Sequence, residues 1–128
     1  MKKLVAIVRM DKMNSTKRAL AEAGVISLTA RKVVGRGKGK VDYLLLQGAQ
    51  QGFEEAINQL GPGSKLMPKR MITIVLPDEK VNGAVDAICR VNRTGSPGDG
   101  KIFTMPMIDA VRVRTGESGI DALSEAPV

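Results

Sequence analysis

One short glycine-rich segment carries the residues best suited to chemistry. Residues 94–103 read Thr-Gly-Ser-Pro-Gly-Asp-Gly-Lys-Ile-Phe, so Gly98, Asp99, Gly100 and Lys101 are consecutive. Closely spaced glycines let backbone N–H groups approach a phosphate without interference from side chains, and Lys101 adds a positive charge. A tight turn before an edge strand is the alternative, which the glycines alone would favour.

Two further cations follow this segment. Arg112 and Arg114 alternate within the pattern predicted for the last strand, residues 107–113 and their continuation. Alternate residues of a strand point to the same side, so both guanidinium groups could clamp one polyphosphate. Two solvated arginines are the alternative. The glycines, the lysine and the paired arginines together favour a phosphate site.

A second basic run spans residues 31–40, which hold five cations and no acid. A solvated loop face is the ordinary interpretation of such a run. Nucleic-acid binding is a second one, although the run has no aromatic side chains on which bases could stack. A third is that Gly35-Arg36-Gly37-Lys38 closes over the phosphates of the same nucleotide. Pro68-Lys69-Arg70 is either the charged start of a strand or a site where Lys69 pairs with a small carboxylate ligand.

Composition narrows the function classes. The chain of 128 residues has a net charge of +7 and predicts one domain with anionic partners. Histidine is absent, which removes the usual general base and the commonest transition-metal ligand and argues against an enzyme. A small nucleotide-acting enzyme would have Asp99 as its only obvious acid near the phosphates. The single cysteine, Cys89, excludes an internal disulfide, and no apolar run reaches membrane-spanning length, so we expect a cytoplasmic protein without membrane insertion.

The elements that must position these residues follow from the hydrophobic pattern. Strands are predicted at residues 4–8, 25–34, 71–76 and 107–113. One helix is predicted to begin at a cap on Asn14 or Ser15 and to stop at Gly24, and another to run from an N-cap at Asp78 to about Asn92. Between the halves lies a long connection, in which residues 50–60 could hold a short helix.

This order, strand–helix–strand in each of two halves, predicts an α+β, ferredoxin-like βαββαβ sandwich with both helices on one face of an antiparallel sheet. Apolar residues on both sides of the strands suggest that other subunits cover the second face.

The residues also resemble a known family. Thr94, Gly98-Asp99-Gly100-Lys101-Ile102-Phe103 and then Val-Arg-Val-Arg-Thr-Gly-Glu at residues 111–117 are similar to the C-terminal signature of PII signal-transduction proteins. The resemblance covers nearly the whole chain, as a single PII-like domain over residues 1–128. It implies an extended T-loop at residues 36–68 and a C-terminal tail at residues 116–128.

The resemblance implies a trimer that binds ATP or ADP in the clefts between subunits, with 2-oxoglutarate joining Mg-ATP at the base of the T-loop. The phosphates would then face Gly35, Arg36, Gly37, Lys38, Gly98, Asp99, Gly100, Lys101, Arg112 and Arg114, with the segment at residues 98–101 opposite residues 35–38 across a subunit boundary. Ile7, Thr29 and Val75 would lie near the adenine and ribose. Lys69, with Gly39 and Lys40, would serve 2-oxoglutarate, and no protein side chain is expected to bind a metal.

Departures from the family pattern narrow the function. Leu46 and Gln51 stand where tyrosines usually flank Gly48-Ala49, so the usual tyrosine nucleotidylation is not available, and Gly39 replaces the glutamine that commonly binds Mg and 2-oxoglutarate. The extended loop resembles the branch encoded beside nitrogenase genes in archaea and anaerobic bacteria. This resemblance implies that the protein controls dinitrogenase, either as a homotrimer or together with a sister PII subunit. Regulation of glutamine synthetase or an ammonium channel is the alternative, and nucleic acid is not an expected partner.

Overall fold

A computed structural model describes residues 1–37 and 66–123 of the chain. Within these ranges, four strands form one antiparallel sheet: β1 (Lys2–Arg9), β2 (Thr29–Gly35), β3 (Met67–Leu76) and β4 (Lys101–Pro106). Helix α1 (Met13–Glu22) follows β1, and helix α2 (Asp78–Asn92) follows β3. The strand order β2-β3-β1-β4 confirms the predicted ferredoxin-like arrangement.

The core lies between the sheet and the two helices. Leu4, Ala6 and Val8 of β1 alternate with half-buried residues, as expected for a strand with one covered face. Ile72, Ile74 and Leu76 do the same on β3. They pack with Ala19 and Leu20 of α1 and with Ala84, Ala87 and Ile88 of α2. Aliphatic side chains therefore build this core, as the scarcity of aromatic residues requires.

The opposite face of the sheet is covered by no described element. The register places Val5, Thr73 and Phe103 side by side on it, and likewise Ile7, Met71 and Lys101. Phe103 is exposed, while Val5 and Ile7 are half-buried. This face is apolar enough to pack against another surface.

Both helices begin differently from the prediction. Lys12, the last residue of a 3₁₀ turn at Met10–Lys12, occupies the N-cap position of α1. Asn14 and Ser15 therefore lie inside the helix and do not cap it. Pro77 occupies the α2 N-cap position, and Asp78 is the first helical residue. The Asp78 carboxylate instead pairs with the Met1 amino group at 3.1 Å. That contact lowers the pKa of Asp78.

The predicted second strand began too early. The strand starts at Thr29, whereas Val25 is buried in the connection from α1. Burial of a β-branched residue produces the same sequence signal as strand pairing, which explains the error.

The last strand is the larger correction. It is Lys101–Pro106, whereas the prediction was residues 107–113. In that segment only Val111 pairs, through an isolated bridge to Ser118. The ladder with β1 ends at the Lys2–Pro106 pair, because Lys2 is the first residue of β1; beyond it the Met107 N–H still donates to the Met1 carbonyl at 3.2 Å.

Two predictions for the long connection can be compared with the structure. β3 begins at Met67, so the end of the predicted T-loop and Pro68-Lys69-Arg70 belong to a strand. The possible helix at residues 50–60 lies outside the described residues. In the tail, a 3₁₀ turn at Gly119–Ala122 precedes Leu123, which is buried.

Candidate functional site

The glycine-rich loop, residues 94–100, connects α2 to β4 at one end of the sheet. At the same end, Arg9 of β1 pairs with Lys69 of β3, and Gly35 of β2 pairs with Met67. Three strands and one loop therefore bring Arg9, Lys69, Gly35 and Gly98 into one neighbourhood. These residues are far apart in sequence, and only the antiparallel register brings them together.

Asp99 organises the loop from within. One carboxylate oxygen accepts hydrogen bonds from Arg9 at 2.7 Å and from the Thr94 hydroxyl. The other accepts from the backbone N–H groups of Thr94 at 2.7 Å and Gly95 at 2.9 Å. Asp99 thus acts on its own loop, because its carboxylate oxygens are engaged by protein donors.

These donors also fix the charge of Asp99. The Thr94 hydroxyl and N–H contribute most, followed by Arg9 and the Gly95 N–H, and together they lower the pKa of the Asp99 carboxyl far below its usual range. The carboxylate is therefore ionised throughout the physiological pH range. It offers no proton for acid catalysis.

Arg9 holds the loop at a second point. Besides Asp99, its guanidinium donates to the Pro97 carbonyl at 3.1 Å. Lys69 adds a third attachment, because its Nζ donates to the Gly98 carbonyl at 3.1 Å. Cations on β1 and β3 therefore hold both the carboxylate and two carbonyls of the loop.

Gly100 makes the closest backbone approach. Its φ is +118°, and a Cβ atom built on it would lie 2.1 Å from the Ile7 carbonyl oxygen. No other residue fits this position without displacing β1. Glycine is therefore required here both by conformation and by space.

A small pocket lies where these segments meet. It has a volume of about 170 Å³ and is lined by Gly35, Arg36, Gly37, Met67, Lys69, Pro97 and Gly98. Residues 35–37 and Gly98 thus line one pocket within a single chain. This corrects the expectation that the two glycine segments face each other across a subunit boundary.

The backbone of this site suits an anion. Gly98 and Gly100 both have positive φ, and their N–H groups take no acceptor among the described residues. Lys101 is exposed directly after them. Unpaired N–H groups beside a lysine are the groups that bind phosphate oxygens.

Arg112 and Arg114 lie elsewhere in the chain. They follow the opposite end of β4, so about 20 Å of strand separates them from Gly100 at ~3.3 Å per residue. Neither is on a strand with alternating side chains, because residues 113–115 form a turn. Arg112 pairs with Glu117 at 2.7 Å, and Arg114 is exposed. Within one chain the predicted arginine clamp is not assembled.

The residues expected near adenine and ribose share one sheet face. Ile7 is paired with Met71, Thr29 with Thr73, and Val75 with Lys3. Val75 is four residues along β3 from the partner of Ile7, or about 13 Å. All three therefore belong to the uncovered face without forming one pocket in a single chain.

Several predicted residues fall outside these contacts. Lys38, Gly39 and Lys40 lie outside the described residues. Arg31 and Lys32 are adjacent on β2 and so point to opposite faces of the sheet. These two cations do not form one basic surface of the kind that nucleic acid would need.

Sequence reasoning assigned no role to two residues that hold the loop through Asp99, namely Arg9 and Thr94. Thr94 had a usable signal, because a hydroxyl residue shortly before an Asp-Gly pair is a common loop-closing partner. Arg9 had none, since only the register places it beside Asp99. In the described ranges no cluster of His, Cys, Asp and Glu could hold a metal ion, and no helix there could span a membrane.

Comparison with known proteins identifies the family. A family model described as nitrogen regulatory protein P-II matches residues 1–117. The chain belongs to the PII family of nitrogen regulatory proteins. The C-terminal signature that suggested this family is therefore confirmed, and the chain is a member of a family of signalling regulators.

Similar proteins cover almost the whole chain. A nitrogen fixation nifHD region GlnB-like protein 2 from Methanobacterium ivanovii is 45% identical over 123 residues, 96% of this chain and 99% of that protein. The protein of the same description from Methanococcus maripaludis is 42% identical over 127 residues, 96% of this chain and all of its own length. A nitrogen regulatory protein P-II from Bradyrhizobium diazoefficiens is 39% identical, again over 96% of this chain and all of that protein.

Proposed function

We propose that this PII protein is a nucleotide-responsive regulator of nitrogen fixation that binds ATP or ADP and acts without catalysis. The observation that carries the proposal is the pocket at the sheet end, where Gly35, Gly37 and Gly98 meet. It lies directly at the start of residues 36–68, the segment expected to engage the target. A ligand bound there touches the base of that segment.

The nucleotide phosphates fit the groups present. The Gly98 and Gly100 N–H groups and the Lys101 ammonium would hold phosphate oxygens, with Gly35, Arg36, Gly37 and Lys38 on the other side. Asp99 would not contact the phosphates but would keep the loop in place. Since the Asp99 carboxylate is engaged by Arg9, Thr94 and Gly95, Mg would arrive with ATP and not through a protein carboxylate.

A second copy of the chain would complete the site. Arg112 and Arg114 are too far from Gly100 along β4 to reach the same phosphates within one chain. The uncovered sheet face and the exposed side chains of Ile108 and Val113, 98% and 100% accessible, supply apolar surface for assembly. A homotrimer, or a hetero-oligomer with a sister PII subunit, would bring the arginines of one subunit to the glycine loop of the next.

2-Oxoglutarate would bind at Lys69, which lines the same pocket as Gly35 and Gly37. The Lys69 ammonium donates to the Gly98 carbonyl, and a ligand carboxylate would compete for that ammonium. Gly39 and Lys40 would contribute through the adjoining segment. A ligand shifts the segment only as far as it prefers one arrangement over another.

Dinitrogenase is the proposed target, in the cytoplasm. Two of the similar methanogen proteins are described as belonging to a nitrogen fixation nifHD region, and this chain is 45% and 42% identical to them. Glutamine synthetase and an ammonium channel are the alternative targets known to other PII proteins.

Calorimetry tests the nucleotide proposal. Full-length protein freed of residual nucleotide, alone or mixed with its sister subunit, is titrated with ATP and with ADP, with and without 2-oxoglutarate. We expect micromolar binding, corresponding to roughly 8 kcal/mol, and a clear loss in Lys101→Gln. Lys32→Gln, an exposed change on β2, is the matched control. An absence of heat with both nucleotides would refute the proposal.

Affinity capture tests the target. Tagged protein recovers partners from nitrogen-fixing cells in the presence of ADP, of ATP, and of ATP with 2-oxoglutarate. Recovery of dinitrogenase in a ligand-dependent manner supports the proposal. Recovery of glutamine synthetase or a membrane channel instead assigns the chain to the alternative.

A further inference from the structure

Arg9 is the last residue of β1, and its guanidinium lies against the glycine loop. Its Nη1 donates to an Asp99 carboxylate oxygen at 2.7 Å and to the Thr94 hydroxyl at 3.5 Å. Its Nη2 donates to the Pro97 carbonyl at 3.1 Å. The two terminal nitrogens therefore hold two different parts of the loop, its carboxylate and its backbone.

The charge of Arg9 is compensated within the protein. Its side chain is 27% exposed and lies 2.7 Å from the Asp99 carboxylate. Two opposite charges this close largely cancel at the distance of a further ligand. Any contribution of Arg9 to an anion site must therefore come from its effect on the loop backbone.

The Pro97 carbonyl and the Gly98 N–H belong to one peptide group. No described peptide bond is cis, so this C=O and this N–H point in opposite directions. A contact that fixes the Pro97 carbonyl therefore also fixes the Gly98 N–H. Because Arg9 lies on the carbonyl side, the N–H is turned away from Arg9.

Pro97 and Gly98 are the central residues of a turn that has two possible forms. Proline fixes its own φ in both, and the forms differ mainly by a flip of the peptide group between the two residues. A type II turn requires a positive φ at the second central residue, and a type I turn requires a negative one. Gly98 has a φ of +96°, which is the type II orientation. Glycine adopts either sign readily, so these two residues alone do not select the form.

The bond from Arg9 distinguishes the two forms. A flipped peptide would turn the carbonyl away and point the Gly98 N–H at a guanidinium, which has no acceptor. The flip would thus lose one charge-assisted hydrogen bond and bring two donors together. The next peptide group is held separately, because Lys69 donates to the Gly98 carbonyl at 3.1 Å. Arg9 is therefore the side chain that holds the peptide group carrying the Gly98 N–H.

We propose that Arg9 is a positioning residue of the nucleotide site, which selects the peptide orientation that presents the Gly98 N–H to the phosphates. This inference deepens the proposed function and rests on it. The apparent affinity for nucleotide falls with the fraction of molecules whose loop has the competent orientation. Loss of Arg9 lowers that fraction without removing a group that contacts the ligand.

Lysine cannot replace Arg9 in this role. A guanidinium carries its donors on separate nitrogens in a rigid plane, whereas an ammonium has a single nitrogen. We expect Arg9→Lys to keep a positive charge beside Asp99 and to give up the bond to the Pro97 carbonyl. Arg9→Met removes both contacts.

Arg70→Met is the matched control. Arg70 lies at the same end of the sheet but is paired with Val8, so its side chain lies on the opposite face from Arg9. Its guanidinium donates to the Lys69 carbonyl at 3.4 Å. The control therefore removes one positive charge from this end of the sheet without removing a bond to the glycine loop.

NMR of the full-length protein without nucleotide tests the orientation. The residual dipolar coupling of the Gly98 N–H and the carbonyl carbon shift of Pro97 are measured in the wild type and the three variants. We expect both signals to change in Arg9→Lys and Arg9→Met and to stay at their wild-type values in Arg70→Met. Unchanged signals in Arg9→Met would overturn the proposal.

Calorimetry with ATP tests the consequence for binding. We expect affinity to fall about tenfold in Arg9→Met and about threefold in Arg9→Lys, and to stay within about twofold in Arg70→Met. Urea unfolding of Arg9→Lys should give a midpoint close to that of the wild type, so that its weaker binding is not a loss of fold. Equal ATP affinity in the wild type and Arg9→Met would also overturn the proposal.

The two measurements separate this inference from the proposed function. A wild type that gives no heat with ATP refutes nucleotide binding, while the NMR comparison still decides whether Arg9 orients the Gly98 peptide. A wild type that binds ATP, with variants that match it in both measurements, refutes the positioning role alone. If Arg9→Met does not fold, Arg9→Lys decides by the same two measurements.

Discussion

The two ends of β4 carry two loops that look alike in sequence and behave differently in the structure. The loop at residues 94–100 has three glycines and the segment at residues 107–118 has one, and each contains one aspartate with cations in it or beside it. Asp99 in the first binds Arg9 of another strand. Among the described residues, Asp109 in the second accepts only from the backbone N–H groups of Ala110 at 2.8 Å and Gly119 at 2.9 Å.

The difference lies in what each loop faces. The first loop is attached to β1 and β3 through Arg9 and Lys69, so residues of the same chain hold it in place. The second holds itself together through Arg112 and Glu117 and leaves Ile108 and Val113 exposed. A loop whose polar groups bond within the loop, while large apolar side chains stay exposed, is suited to contact another molecule. In the proposed nucleotide site, one half would therefore be intramolecular, and the other half would come from a second copy.

The largest effect is expected from Gly100→Ala. The added Cβ overlaps the Ile7 carbonyl oxygen and a positive φ must be kept, so we expect a loss of roughly 3 kcal/mol in the free energy of unfolding and loss of nucleotide binding. Urea unfolding at fixed protein concentration measures the first. Gly95→Ala is the control: its φ is also positive, but nothing lies within 4 Å, and about 1 kcal/mol is expected. Equal losses in the two variants would contradict the close approach.

Mixing two variants, each damaged in one loop, tests whether the two loops of a nucleotide site come from different subunits. Lys101→Gln damages the first loop, and the double change Arg112→Gln with Arg114→Gln damages the second. Each variant alone should bind ATP poorly. If a site combines loops from two subunits, an equimolar mixture reassembled at random should recover about a quarter of the sites. No recovery after verified subunit exchange would show that both loops must come from one chain.

A tenfold effect is expected from Asp99→Asn. The amide keeps the shape but loses the charge, and its NH₂ meets donors where the carboxylate accepted, so the loop loosens. We expect ATP affinity to fall about tenfold by calorimetry. Asp109→Asn, the corresponding change in the second loop, should weaken ATP much less, because Asp109 holds neither Arg9 nor the glycine loop. If Asp109→Asn weakened ATP binding more than Asp99→Asn, the phosphates would have to bind at the C-terminal end of β4 and not beside the glycine loop.

The smallest effect is a pH dependence. The pKa of Asp99 is lowered on folding, so its contribution to stability is fully present above the unfolded carboxyl pKa of about 3.9 and is lost as the pH falls through the lower folded value. We expect the difference in unfolding free energy between the wild type and Asp99→Asn to be constant from about pH 8 to pH 5 and to shrink below about pH 4. A difference that already changes near neutral pH would mean that Asp99 is not held by these donors.

The sequence by itself determined the local elements and the family. The aliphatic alternation in β1 and β3, the apolar face of α2 and the glycine spacing around Asp99 are local signals, because they depend on neighbours within a few residues. The signature from Thr94 to Glu117 identified the PII family for the same reason. The wrong prediction of the last strand also came from a local pattern. Residues 107–113 alternate like a strand, yet the ladder with β1 stops at Pro106.

Only the tertiary structure decided which residues meet. The antiparallel register places Arg9 opposite Lys69, and this pairing delivers one cation to Asp99 and another to Gly98. It also placed residues 35–37 beside Gly98 in one chain and moved Arg112 and Arg114 to the far end of β4. Contacts between residues about 90 positions apart depend on how strands align, and strand alignment is set by the shared core and not by any local pattern.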